Sequence, residues 1–246
     1  MTITSEISTA PGLTFERDGA VLTARIDCPD GNLLTLAICD ALTDVLNNPP
    51  DGVHVLLLTA AGEQFCMGRE RTASTPADLP QEVRRLIAVN EALAATDLVT
   101  VARVHGDAAG FGVGLAALCD VAVGTRSSAL SFPEVQINLA PALVLAWLPA
   151  MVGKRAAFWL TASGESVAGD EAVRIGLLNE VVDDVAALDA AVAQKVAALV
   201  KAQPRVHTEI RAMLRSVESL SQAQSYELAR DRLVLGSLRR LHTASN

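Results

Sequence analysis

Four glycines, at 106, 110, 112 and 114, crowd into one short stretch, and little else restricts the fold of this chain as much. The apolar run 98–104 precedes them and reads as a buried strand. Residues 115–118 follow with helical character. The pattern is therefore strand, tight glycine turn, helix start. The first N–H groups of a helix have no acceptor within it, and the helix dipole adds partial positive charge. Such a turn receives negative charge, either a phosphate or an oxyanion that exists only during a reaction.

The same alternation runs through much of the chain. Residues 13–17 and 20–26 alternate around Asp18-Gly19 and predict a hairpin. Residues 33–46 carry Leu34, Ile38, Leu42 and Val45 at helical spacing and stop before Asn47-Asn48-Pro49-Pro50. A buried strand is expected at 53–59, a loop at 60–70, a flexible segment at 71–80 and a helix at 82–95. Short strands follow at 121–124 and 129–132. A helix at 141–151 should break near Pro149, and another runs from 153 to 160. Helices are then expected at 167–175, 185–202, 205–217 and 222–238, with an extended link at 177–182. Helices between hydrophobic strands imply an α/β core with a layered, largely parallel sheet. Only 3% of residues are aromatic, so Ala, Val and Leu must fill that core.

A formal net charge of −8 disfavours nucleic acid and anionic membrane, and any anionic ligand needs locally placed Arg or Lys. The four cysteines form no Cys-x-x-Cys pair and read as reduced thiols in a cytoplasmic protein. Residues 1–11 are polar and Thr/Ser-rich, unlike a signal peptide, and no apolar run is long enough for a membrane span. The histidines at 54, 105, 207 and 242 are scattered, so no metal site is expected.

Three segments then fall into order: Gly62-Glu63-Gln64-Phe65-Cys66-Met67-Gly68-Arg69-Glu70, the glycine turn ending in Cys119-Asp120, and Phe132-Pro133-Glu134. With Gly153-Lys154-Arg155-Ala156-Ala157 and Gly176-Leu177-Leu178 downstream, the order resembles the enoyl-CoA hydratase/isomerase (crotonase) family over about residues 13–182. The resemblance implies an α/β spiral of strand–strand–helix units spanning 1–182. It implies a C-terminal helical region, 183–246, that supports oligomerisation and covers the active site. It further implies trimers or pairs of trimers and acyl-CoA thioester substrates, with CoA entering as part of the substrate and no separate cofactor.

Carried over by position, the backbone N–H groups of Arg69 and Phe111 hold the thioester oxygen. Glu134 is the general acid/base. Met67, Gly68, Gly110, Gly112 and Gly114 line the substrate, and the family's adenine pocket uses backbone near 67–69. Arg25, Arg69 and Arg71 are candidates for the phosphate end, with Arg25 put forward as a binding residue. The chain departs from family hydratases at Gly114, where they carry a second glutamate that helps position water. Gly114 with Ala140-Pro141-Ala142 is similar to members acting on branched glutaconyl-type substrates, which bring their own carboxylate. His105, Asp107 and Asp120 are expected to bond locally rather than react. The implied activity is hydration or double-bond shift of an enoyl-CoA. Decarboxylation or thioester hydrolysis is the alternative, and an inactive acyl-CoA-binding subunit the reading from another class.

Overall fold

A computed structural model describes residues 7–244, so the reading of the first eleven residues as free of a leader falls largely outside the described residues. Strands β1 (Leu13–Asp18) and β2 (Val21–Ile26) form the expected hairpin, its turn one residue later than Asp18-Gly19 marks. A single turn, α1 (Pro29–Asn32), leads to α2 (Leu36–Asn47), capped where Thr35 Oγ1 accepts from the Ile38 amide. Then come β3 (Val55–Ala60), α3 (Leu79–Ala95) and β4 (Val99–Val104). Short β5 (Ala108–Ala109) precedes α4 (Phe111–Ala117), β6 (Val121–Thr125) and β7 (Ala129–Ser131). After a 3-10 turn, Pro133–Ile137, follow α5 (Ala142–Leu145), α6 (Leu148–Val152) and α7 (Lys154–Ser163). Next are β8 (Val167–Ala168), α8 (Gly169–Ile175), β9 (Glu180–Val182) and α9 (Val185–Lys201).

The main sheet runs β1-β2-β3-β4-β6-β9, and only the β1–β2 pair is antiparallel. Both faces are covered, which explains why its central strands are continuous apolar runs. Leu22, Ile26, Leu58 and Val104 belong to the larger core with α2, α3 and α4. Val55, Val99, Val101 and Val123 face the other way, against Leu188 and Val192 of α9.

A second sheet, β5-β7-β8, is small but organises the rest. Its strands are too short to show a two-residue period, so the sequence hid it. Residues 167–168 were expected in a helix and instead pair antiparallel with β7. The link expected at 177–182 ends as β9, an edge strand of the main sheet. The helix expected at 141–151 is two short ones, separated at Trp147 rather than at Pro149, because proline sits in the first turn of α6, where its missing N–H costs nothing.

The described residues form two units, divided after Lys201, so α9 lies with the sheet it covers. The boundary expected at 182/183 falls before that helix. The second unit holds α10 (Pro204–Val217) and α11 (Gln222–Ala244), bridged by Glu209, which pairs with Arg205 at 2.8 Å and with Arg239.

Close backbone approach makes Gly112, like Gly106, an exacting glycine of the turn. A Cβ there would stand 2.0 Å from the Cys66 carbonyl oxygen. Gly112→Ala is therefore expected to force α4 away from residue 66 and to cost about 3 kcal/mol. Urea denaturation measures this, and an unchanged midpoint would contradict the packing.

Candidate active site

Three segments meet because the small sheet lines them up. The Phe65 amide donates to the Asp107 carbonyl and the Ala109 amide to the Cys66 carbonyl, both at 2.9 Å. Cys66 thereby bridges to Ala108 in parallel register. On the other side β5 pairs with β7, and the Gly110 amide donates to the Ser131 carbonyl at 2.9 Å. Residues 66–69, 108–111 and 131–134 are thus held side by side by backbone bonds.

The direction of the Arg69 amide follows from strand alternation. Gly68 O accepts from the Leu34 amide and the Glu70 amide donates to Leu34 O. The Arg69 N–H therefore points to the opposite side. Phe111 is the first residue of α4, where no helical acceptor exists. Among the described residues neither amide has a hydrogen-bond acceptor. Helix α4 spans only seven residues, so the amide itself matters more than the dipole.

Both residues line a cavity of about 650 Å³ with Met67, Gly68, Gly110 and Glu134. The rest of the wall is mostly apolar, including Val83, Leu86, Leu143 and Val144. Among the described residues Glu134 is the only acid in its wall, and Arg69 and Arg71 are the cations. Gly110 has φ +51°, and a Cβ there would lie 2.6 Å from Glu134 Oε1. Glycine is needed both for that turn and for the carboxylate stacked on it. Glu134 is half-buried, and its Oε2 is buried without a partner. Burial pushes its pKa above the ordinary carboxylate range, against the weaker pull of Arg71 and Arg69. Burial pushes the Cys66 thiol up to about 12, which disfavours its thiolate.

Three expected residues stand elsewhere. Arg25 is an exposed residue of β2, paired with Thr59 in register, and is not in the cavity wall. Gly112 and Gly114 are buried in α4 behind the wall. A Cβ on Gly114 would lie 3.3 Å from Trp147 Cζ2, so an indole occupies the space into which a side chain there would project. Trp147 packs edge-on to Phe132, ring centres 6.2 Å apart.

The supporting residues were not visible in the sequence. Asn32, in the left-handed region at φ +58°, donates to the Ala61 and Gln64 carbonyls and accepts from the Cys28 amide, each at 2.8 Å. Glu82 is 3% exposed and holds the segment after Arg69. The 71–80 stretch, expected to be flexible, is tied there and at Asp78, which accepts from Thr75. Asp107, expected to bond its own turn, instead accepts from the Ala129 amide of β7, and Asp120 accepts from the Thr100 amide of β4, so both tie separate strands together. His105 bonds across to Gly62 O at 3.0 Å, so it links two loops. Burial lowers its pKa, favouring the neutral ring.

The profile of the enoyl-CoA hydratase/isomerase family matches residues 16–237. The chain belongs to this family. A Rhodobacter capsulatus relative named as an enoyl-CoA hydratase is 32% identical over 70% of this chain and 69% of its own. The crystal structure of the Mycobacterium smegmatis enoyl-CoA hydratase superposes with a TM-score of 0.86 at 26% identity, over 92% of this chain and 91% of that one. A Thermobifida fusca YX structure, solved in complex with CoA, gives 0.85 at 26% identity over 98% of both chains. The crotonase architecture expected from the motifs is therefore the one present, in an acyl-CoA-processing family.

A carboxyl whose folded pKa is raised stabilises the fold below its unfolded range, near pH 4, and loses that contribution as pH rises through the folded value. Glu134→Gln is accordingly expected to melt higher than wild type at pH 8. The two melting temperatures should converge as pH falls toward about 4. A wild type that melts higher at pH 8 would show that the carboxylate is better solvated than its burial indicates.

Proposed function

We propose that the protein hydrates an enoyl-CoA or shifts its double bond, with the Arg69 and Phe111 amides taking the thioester oxygen and Glu134 carrying the proton. One observation supports this above others. A half-buried carboxylate with an unpaired oxygen rests on Gly110, directly before one of two unpaired amides in one apolar cavity.

In hydration, Glu134 accepts a proton from water as the oxygen bonds to the β carbon. The electron pair moves through the α carbon to the thioester oxygen, where the two amides meet it. The enolate then collapses as Glu134 returns its proton to the α carbon. In isomerisation the same carboxylate takes a proton at one carbon and delivers it two carbons away. Each amide aimed at the developing charge contributes about 3 kcal/mol of barrier lowering. The raised pKa of Glu134 suits a group that must both take and give a proton. No cofactor beyond the CoA of the substrate enters either route.

Gly114, backed by Trp147, leaves one carboxylate where family hydratases use two. That favours a second reading, decarboxylation or thioester hydrolysis, in which the enolate site suffices. Arg71 bears on substrate choice: it lines the cavity, and among the described residues no ion pair is recorded for its guanidinium. It supports a substrate whose acyl group carries its own carboxylate.

The proposal extends to a homotrimer or a pair of trimers. Phe158 and Trp159 of α7, 71% and 59% exposed, support burial against another copy. Cytoplasmic location and a place in fatty-acid metabolism accompany the reading. Among the described residues no helix is long and apolar enough to cross a membrane.

Glu134→Gln is expected to cut turnover of short enoyl-CoA thioesters by about a hundredfold or more. Retained hydration would remove Glu134 from the mechanism, and retained decarboxylation or hydrolysis alone would favour the second reading. Arg71→Leu should lower kcat/KM for an enoyl-CoA ending in a carboxylate about tenfold more than for its methyl-ended counterpart, by loss of one charge-assisted hydrogen bond. Equal losses would assign Arg71 to the CoA phosphates.

A further inference from the structure

The segment that carries one of the two amides is fastened by a carboxylate that nothing in the proposed reaction uses. Glu82 lies in the first turn of α3 and is 3% exposed. Its Oε1 accepts from the Arg69 guanidinium. Its Oε2 accepts from the Thr72 amide at 3.1 Å, the Thr72 hydroxyl at 3.1 Å and the Ala73 amide at 2.7 Å. A buried carboxylate is kept in a fold only where donors replace its water, and here every donor comes from 69–73.

The two ends of that segment are fixed independently. Upstream, Leu34 clasps Gly68 O and the Glu70 amide. Downstream, Glu82 clasps 72 and 73. Val83 and Leu86, on the same helix, form part of the cavity wall. Helix α3 is thus a wall of the cavity and an anchor of its rim at once. The clasp also directs the Arg69 side chain to Glu82 and to the Glu70 carbonyl, at 3.2 Å, while the Arg69 amide faces the cavity.

We propose that Glu82 is a positioning residue for catalysis: by clasping residues 69–73 it fixes the Arg69 amide for the enolate oxygen. This rests on the assignment of the Arg69 and Phe111 amides made above. Burial opposes the charge of Glu82, yet the Ala73, Arg69 and Thr72 donors outweigh it and hold its pKa below the ordinary range. Glu82 therefore stays ionised throughout the neutral range, and the clasp does not open on a modest change of pH.

The test is the binding of acetoacetyl-CoA, a β-ketothioester whose enolate absorbs in the near ultraviolet. The pH midpoint of that absorbance, on the bound ligand, reads how well the amides stabilise the enolate without any turnover. Wild type is expected to lower the midpoint below that of the free thioester. Glu82→Ala should raise the bound midpoint by at least one pH unit, a tenfold loss of enolate stabilisation, and Glu82→Gln should recover part of it. Arg69→Ala keeps the amide but cuts the clasp from its other end, and should also raise the midpoint. It covers the case in which Glu82→Ala fails to fold. Variants that lose melting temperature yet keep the wild-type midpoint would make Glu82 a purely structural residue and overturn the proposal. A wild type that leaves the midpoint where it is in solution would overturn the amide assignment itself, a failure visible before any Glu82 variant is made.

Discussion

The parallel bridge between Cys66 and Ala108 is the contact on which the cavity depends. It is made only of backbone: an amide at 109, a carbonyl at 66, and a glycine at 112 that lets α4 close over them. Two amides far apart in sequence are thereby held by rigid strands instead of by mobile side chains. Preorganised donors of this kind need no reorientation when charge appears on a bound oxygen. The small sheet extends the same ladder to β7, so Glu134, three residues beyond it, is registered against the amides by the same kind of bond.

Around this ladder the molecule tolerates local instability. Glu134 has an oxygen that is buried with no partner, a state that costs on the order of 1–3 kcal/mol. Nearby carboxylates are treated differently. Glu82 is more deeply buried yet fully engaged, and Asp107 and Asp120 accept from backbone amides. The contrast separates a carboxylate available for proton transfer from those that hold chain segments in place.

Much of this was legible in the sequence, and for identifiable reasons. Long buried strands announced themselves as continuous apolar runs and helices through periodicity, while the backbone donors at 69 and 111 were placed by the family resemblance of the motifs around them. Glu134 stood out through the resemblance of Phe132-Pro133-Glu134 to the family's motif, and it lies in a 3-10 turn just after β7. Two-residue strands carry no period, so β5 and β8 were invisible. Glu82 looked like any first-turn glutamate, since Glu there is favourable in solvent too. Arg25 was picked for its charge, and only three-dimensional register puts it on an exposed position of β2, outside the cavity wall.

The pairing of Gly114 with Trp147 restricts what position 114 can hold. An indole has settled into the volume that an acidic side chain on α4 would need, and it is braced by Phe132. An acid introduced at 114 alone would be driven into that ring, while shrinking the ring alone would open a hole beside a buried helix. A side chain at 114 is thus a two-site change, in which the indole must give way together with the new group.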